Sequence, residues 1–189
     1  MLDMVGRSRL TNSILFNFDD AVIEERINNT IDQVCQASVA MSNAKIGALI
    51  VIERETKIGE IISTGTMIDS EVTNELIRNV FYPKAPLHDG ALIIRNNRIF
   101  AAGCFLPLSQ QDGISRELGT RHRAALGMSE YSDALVVVVS EETGRISVAQ
   151  NGTLIRNLTS KALGSILKNS LYKIKSDKEK KFKLWRWKA

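Results

Sequence analysis

The chain has 189 residues, 44% of them apolar, with 25 Lys and Arg against 21 Asp and Glu, which suits one domain with its own core. Its net charge of +4 is local, because Tyr172 to Ala189 carries eight basic residues against Asp177 and Glu179 and the other 171 residues sum to −2. A polyanion-binding surface over the domain, and so a nucleic-acid partner, is disfavoured. No run approaches the ~18 consecutive apolar residues of a membrane-spanning helix. The start "MLDMVGRSRLTNSILFNFDD" has no signal-peptide pattern. Cys35 and Cys104 lie far apart with no second cysteine near either, and read as buried, reduced, intracellular thiols rather than as ligands or a disulfide framework.

Val22, Ile23, Ile27, Ile31, Val34, Ser38 and Met41 recur at three- or four-residue steps. This spacing predicts a helix from Asp19 to about Lys45 with one buried face. "IGALIVI", Ile46 to Ile52, follows as a mostly buried strand. A second helix, "SEVTNELIRNVF", is expected to be capped by Asp69 or Ser70 and to end before Pro83, with Val72, Leu76, Ile77 and Val80 as its stripe. "ALII" (91–94) and "RIFAAGCFLPL" (98–108) are separated by "RNNR", whose Asn-Asn centre tolerates the positive φ of a tight hairpin, so the two read as antiparallel strands. A helix begins at about Thr120. "ALVVVVS", Ala134 to Ser140, reads as a central strand. In "EETGRISVAQNGTL" the turns Thr143-Gly144 and Asn151-Gly152 flank what reads as an edge strand. A last helix spans about Thr159 to Asn169. The expected fold is α/β or α+β: a mixed, mostly antiparallel sheet packed between helices. The expected division is a leader over 1–18, a domain over 19–171 and a basic tail over 172–189.

Three stretches carry candidate chemistry. In "KAPLHDGALII" the apolar run places Asp89 at the mouth of a buried strand, and Gly90 lets a ligand approach the backbone. Taken alone, Asp89 is as well explained by an Asx turn with His88 packed under Pro86. In "ELGTRHRAALG", Thr120 can cap a helix opened by Arg121, His122 and Arg123. Two guanidiniums then sit at the positive end of a helix dipole, which costs stability unless an anion is present. Exposed amides, a hydroxyl and two forked cations suit a polyphosphate; the alternative is arginines that are solvated or paired with Glu117 or Glu130. Ser140, Glu141 and Glu142 end the Val-rich strand, where they could hold a divalent cation bridging phosphates or form a plain polar hairpin. Neither a P-loop nor a Gly-x-Gly-x-x-Gly after a strand is present.

Together, "LHDGALII", "GTRHRAALG" and "VVVSEETGRISVAQNG" closely resemble the diadenylate cyclase (DAC) domain, marked by Asp-Gly-Ala and Arg-His-Arg motifs, from about Ile46 to Leu158. The resemblance implies an enzyme that condenses two ATP into cyclic di-AMP and two pyrophosphates with a divalent metal, Mn2+ or Mg2+. It implies that Asp89 activates the ribose 3′-hydroxyl, with Gly90 and Ala91 completing the motif. It implies that Thr120, Arg121, His122, Arg123, Ser140 and Glu141 hold the substrate, that Phe105 and Leu106 cradle adenine, and that His88 and Glu142 bind metal. Close relatives often have tyrosine at Phe105, so here stacking is retained without a phenol hydrogen bond. One site per domain implies two domains meeting face to face as a homodimer or larger homo-oligomer. The sequence looks most like the membrane-anchored CdaA type, with the preceding membrane helices absent, and truncation is the expectation. The chain as given is then expected to be cytoplasmic, with the native protein at the cytoplasmic face of the membrane. Phe182, Leu184, Trp185 and Trp187, interleaved with lysines, suit an anionic membrane surface. The competing reading is a sensor that binds ATP or cyclic di-AMP without turnover.

Overall fold

In the computed structural model the described residues are 5–111 and 119–172. In chain order they form α1 (Val5–Ala44), β1 (Ala48–Ile52), α2 (Gly59–Ile62), β2 (Thr66–Glu71), α3 (Asn74–Val80), β3 (Ala91–Arg95), β4 (Arg98–Cys104), α4 (Thr120–Tyr131), β5 (Leu135–Val139), β6 (Ile146–Gln150) and β7 (Thr153–Ile155). A fifth helix, α5, spans 160–172. The strands make one seven-stranded sheet in the order β2-β4-β3-β1-β5-β6-β7. Only β1 and β3 pair in parallel. The expected fold class stands: a mixed, mostly antiparallel sheet between helices.

Several boundaries differ from the expectations. Helix α1 begins at Val5, well before Asp19, so most of the expected leader is continuous with it. Its stripe is buried from Ile27 to Met41, while Val22 and Ile23 are 45% and 44% exposed. The second helix does not begin at Asp69 or Ser70: "TMIDSE" is the edge strand β2, and Thr73 caps α3 by accepting from the Leu76 amide at 3.2 Å. The edge is broken by an irregularity between Met67 and Ser70, with Asp69 at φ 51°, which guards an exposed strand against further pairing. Strand β6 is interior and β7 is the edge, so the expectation of an edge strand at 145–150 is corrected. The Asn-Asn hairpin holds, with Asn96 and Asn97 at φ 50° and 59° as a type I′ turn requires.

Alternation along the buried strands builds two cores. Ile50, Ile52, Leu92, Ile94, Val137 and Val139 pack with α1, α3 and α5 on one face. Leu49, Val51, Ile93, Val136 and Val138 pack on the other with Ile62 of α2 and Ala125 and Met128 of α4. Both cysteines are free and buried, and burial pushes each thiol up to about 11, so neither is a ready nucleophile.

Strand register decides which loops share an end of the sheet. Leu92 of β3 lies opposite Ile50 in parallel, Val139 of β5 opposite Ala48, and Cys104 of β4 opposite Ala91. The starts of β1 and β3 and the ends of β4 and β5 therefore form one rim, which gathers Gly47, Asp89, Phe105 and Ser140. The opposite rim is structural. There Glu53, with a side chain 1% exposed, receives Arg95 Nε and Nη2 at 2.9 and 2.6 Å, Lys57 Nζ at 3.0 Å and the Ile58 amide at 3.3 Å. Burial pushes this carboxyl upward, but the hydrogen bonds from Arg95, Lys57 and Ile58 outweigh it and hold it below its ordinary value. Arg95 also lies over the Phe100 ring at 4.6 Å. Arg95→Ala leaves that carboxylate under-compensated and is expected to cost about 3 kcal/mol in urea unfolding. A loss below about 1 kcal/mol would show the rim to be solvated.

Candidate active site

Asp89 sits in the turn just before β3 and is exposed. Among the described residues its carboxylate has no hydrogen-bond or ion-pair partner, so nothing there supports the Asx-turn alternative. Gly90 at φ 105° lies so near β4 that an added Cβ would stand 2.8 Å from the Cys104 carbonyl oxygen and from Gly103 C. The glycine is thus required by the neighbouring strand's backbone, whereas the sequence suggested the approach of a ligand. Ala91 is fully buried as the first residue of β3. The pair Gly90-Ala91 consequently anchors Asp89 to the sheet while leaving it facing solvent. His88 is half-buried, and its Nδ1 lies 2.5 Å from the Ala85 carbonyl oxygen. A carbonyl only accepts, so Nδ1 carries the hydrogen, and Nε2 keeps its lone pair for a ligand.

Helix α4 reaches the same rim. Its N-cap is Gly119 rather than Thr120, with no side-chain capping bond, and Thr120 is the first helical residue. Arg121 Nη1 donates to Glu141 Oε2 at 2.7 Å rather than to Glu130; the other partner that the sequence offered, Glu117, lies outside the described residues. Arg123 is exposed, with Nη2 3.4 Å from the Ser109 carbonyl oxygen. Glu130 is taken up by Ser109 Oγ at 2.5 Å and Gln111 Nε2 at 2.8 Å. Ser109, 1% exposed, also donates its amide to the Arg123 carbonyl oxygen at 3.0 Å. The segment after β4 is thereby fastened to α4, a support that the sequence did not reveal because it depends on a long-range contact.

His122 differs from its neighbours in being 8% exposed. Burial pushes its imidazole below the ordinary 6.5, Arg156 pushes it further down, and Glu142 opposes both. The folded state therefore keeps it neutral where the unfolded chain already takes up a proton. The unfolded state binds more protons below about pH 6.5, so stability falls on acidification through that value towards the depressed one. His122→Gln is expected to flatten the dependence of the thermal midpoint on pH in that window; an unchanged slope would assign it to other groups.

Ser140 follows β5 directly, and its Oγ accepts from the Thr143 amide at 3.2 Å, which shapes the loop carrying the exposed Glu141 and Glu142. Phe105 is 65% exposed; its amide donates to Thr64 Oγ1 at 2.9 Å, while Thr64 Oγ1 itself donates to the Ile61 carbonyl oxygen at 2.7 Å. The ring is thus an aromatic face held at the rim and open to stacking, with Leu106 packed beneath it on the α4-side core. Thr64 was not singled out from the sequence, because its neighbour Phe105 is distant along the chain. A cleft of about 370 Å³ between α1, β2 and the Asn97–Arg98 hairpin lies at the other rim, away from these groups.

Among the described residues no three His, Cys, Asp or Glu side chains gather as a metal site. His88 precedes β3 and Glu142 follows β5, the two strands that flank β1. Such a donor set suits a cation that takes most of its ligands from phosphate oxygens, as Mg2+ does. The basic tail beyond 172, with its four aromatic and leucine positions, lies outside the described residues, as does Glu117.

One rim of this α/β domain thus gathers an acid with no partner among the described residues, an exposed aromatic, two arginines at a helix start and a hydroxyl, groups whose chemistry suits a nucleotide. The comparisons agree. Residues 35–154 match the family model described as DisA bacterial checkpoint controller nucleotide-binding. The chain is 46% identical over 187 residues to the "Cyclic di-AMP synthase CdaA" of Bacillus subtilis, covering 99% of this chain and 67% of that one. It is 41% identical over 185 residues to a "Diadenylate cyclase" of Listeria monocytogenes, covering 98% and 66%. The chain thus spans about two thirds of the length of these curated relatives. The crystal structure of DacA from Staphylococcus aureus, a double cysteine mutant, superposes with a TM-score of 0.74 at 48% identity, over 76% of this chain and 95% of that one. A hypothetical membrane spanning protein from Bacillus cereus gives 0.66 at 48%, over 68% and 63%. The chain belongs to the diadenylate cyclase family and is an enzyme of the nucleotidyl-transfer class. No helix among the described residues is long and apolar enough to cross a membrane.

Proposed function

We propose that the chain condenses two ATP molecules into cyclic di-AMP and two pyrophosphates, with each copy of the rim holding one ATP. The observation that carries this reading is the shared rim, where Asp89, without a partner among the described residues, lies on the same sheet end as Arg121, Ser140 and the start of α4. Asp89 accepts the proton of a ribose 3′-hydroxyl as that oxygen attacks the α-phosphate of the other ATP and pyrophosphate leaves. Arg121, Arg123, Thr120 and the free amides of α4 meet the charge that grows on the α-phosphate and the leaving group, with Ser140 and Glu141 at the phosphate edge. Phe105 and Leu106 seat adenine, and the buried neutral His122 supports the arginines from beneath. Bound by His88 Nε2 and Glu142 together with phosphate oxygens, a divalent cation, Mn2+ or Mg2+, would supply charge neutralisation on the triphosphate.

Each rim supplies one acid and one triphosphate group, so the two halves of the reaction come from two domains placed face to face. The reading makes the working unit a homodimer or a larger assembly of such pairs. A variant locked as a monomer is expected to bind ATP and to make almost no cyclic di-AMP; product formed at the parent rate would remove the dimer from the mechanism. The likeness to the Bacillus cereus protein and the basic, Trp-containing tail support a place at the cytoplasmic face of a membrane, with the tail on anionic lipid.

A further inference from the structure

Gly47 lies at the mouth of β1, on the same rim, and none of the motif residues includes it. We propose that Gly47 is a positioning residue for triphosphate binding: its missing side chain lets the Arg121 guanidinium lie across the mouth of β1 in the grip of Glu141. The inference rests on the reading of Arg121 as a phosphate ligand.

A Cβ added at Gly47 would stand 2.7 Å from Arg121 Nη1, 3.0 Å from Arg121 Cζ and 2.9 Å from Glu141 Oε2. These three atoms are the ion pair itself, whose Nη1 and Oε2 are 2.7 Å apart. The space Gly47 leaves is therefore filled by the two side chains and by no backbone atom among the three nearest. Gly90 contrasts with it on both counts, with φ 105° and a β4 backbone in the way. Gly47 has no positive φ, so its backbone accepts alanine, and the whole consequence of the substitution falls on Arg121 and Glu141. Both are ends of flexible side chains, 22% and 62% exposed. They can move aside at little cost in stability, but not without taking the guanidinium away from its place.

That place matters because of how Arg121 is held. Glu141 engages Nη1 alone, so the rest of the five-donor fork stays available to phosphate oxygens. The pair sits between the end of β5 and the first turn of α4, where the helix dipole favours an anion. A guanidinium displaced by about an ångström loses the alignment of its fork, and misplacements of that size cost up to a hundred-fold.

The test is a double-mutant cycle in the full chain, reading kcat and KM for ATP, direct ATP binding and the thermal midpoint. Gly47→Ala is expected to raise KM and weaken ATP binding by about ten-fold or more, with a smaller change in kcat and a midpoint near that of the parent. In the Arg121→Ala background the same substitution should have no further effect, since the group it displaces is gone. Glu141→Ala, which adds no atoms, should weaken ATP binding in the same direction and lose its effect in that background too. An unchanged KM in Gly47→Ala, or an effect that persists in full without Arg121, overturns the proposal. Parent-like ATP binding by Arg121→Ala alone would instead overturn the reading of Arg121 on which it stands.

Discussion

Asp89→Asn is expected to lower the rate of cyclic di-AMP formation by about two to four orders of magnitude, the usual worth of a positioned general base, while ATP binding stays near that of the parent. The substitution preserves shape, and Asp89 is exposed with no partner among the described residues, so the fold has little reason to change. In the proposed function the triphosphate is met by groups on α4 and the β5–β6 loop, which the change does not touch. Single-turnover kinetics together with direct ATP titration separate the two quantities. A variant that lost ATP binding as well would move Asp89 from proton transfer to holding substrate or metal.

Arg121→Ala is expected to behave differently, reducing ATP affinity and turnover together, with kcat/KM down by about a hundred- to a thousand-fold. In the proposed function the guanidinium meets charge already present in the ground state and more that develops as pyrophosphate leaves, so it contributes to both. Its resting partner Glu141 is 62% exposed, and an exposed pair of this kind is worth at most about 1 kcal/mol. Removal of Arg121 should accordingly leave the thermal midpoint almost unchanged. A fall in the midpoint with ATP affinity intact would make the arginine a structural residue and shift the triphosphate to Arg123.

How much of this was legible beforehand depended on whether the deciding contact is local. The hairpin at Asn96-Asn97 was readable because positive φ is written into those two residues. Strand β5 was readable because five consecutive buried residues leave no other use for "LVVVV". Strand β2 was not, since "TMIDSE" is polar and largely exposed at a sheet edge, and among the described residues it pairs with β4 alone. Absorbing it into the next helix moved the expected cap from Thr73 to Asp69 or Ser70.

The same divide runs through the site. Asp89 and the Arg-His-Arg run stand out by residue type and spacing, and the structure brings them to one rim. The partner of Arg121 did not stand out, because Glu141, after β5, reaches it only when α4 packs back along that strand. Gly47 was hidden for the same reason: a glycine opening an apolar strand looks like an ordinary turn residue until the side chains of two distant segments are seen to fill its space. Thr64 beneath Phe105 and Ser109 beneath Arg123 are further supports of this kind. His122, expected among the substrate ligands, is buried in the first turn of α4, while Thr120 and Arg123 on either side of it are exposed.

The most direct measurement is incubation of the purified chain with ATP and either Mn2+ or Mg2+, with the products resolved by chromatography and mass. The account predicts cyclic di-AMP and two equivalents of pyrophosphate, formed only when a divalent cation is present. ATP recovered unchanged with both metals, by a chain that nevertheless binds it, would contradict the account and leave a nucleotide sensor on the same fold.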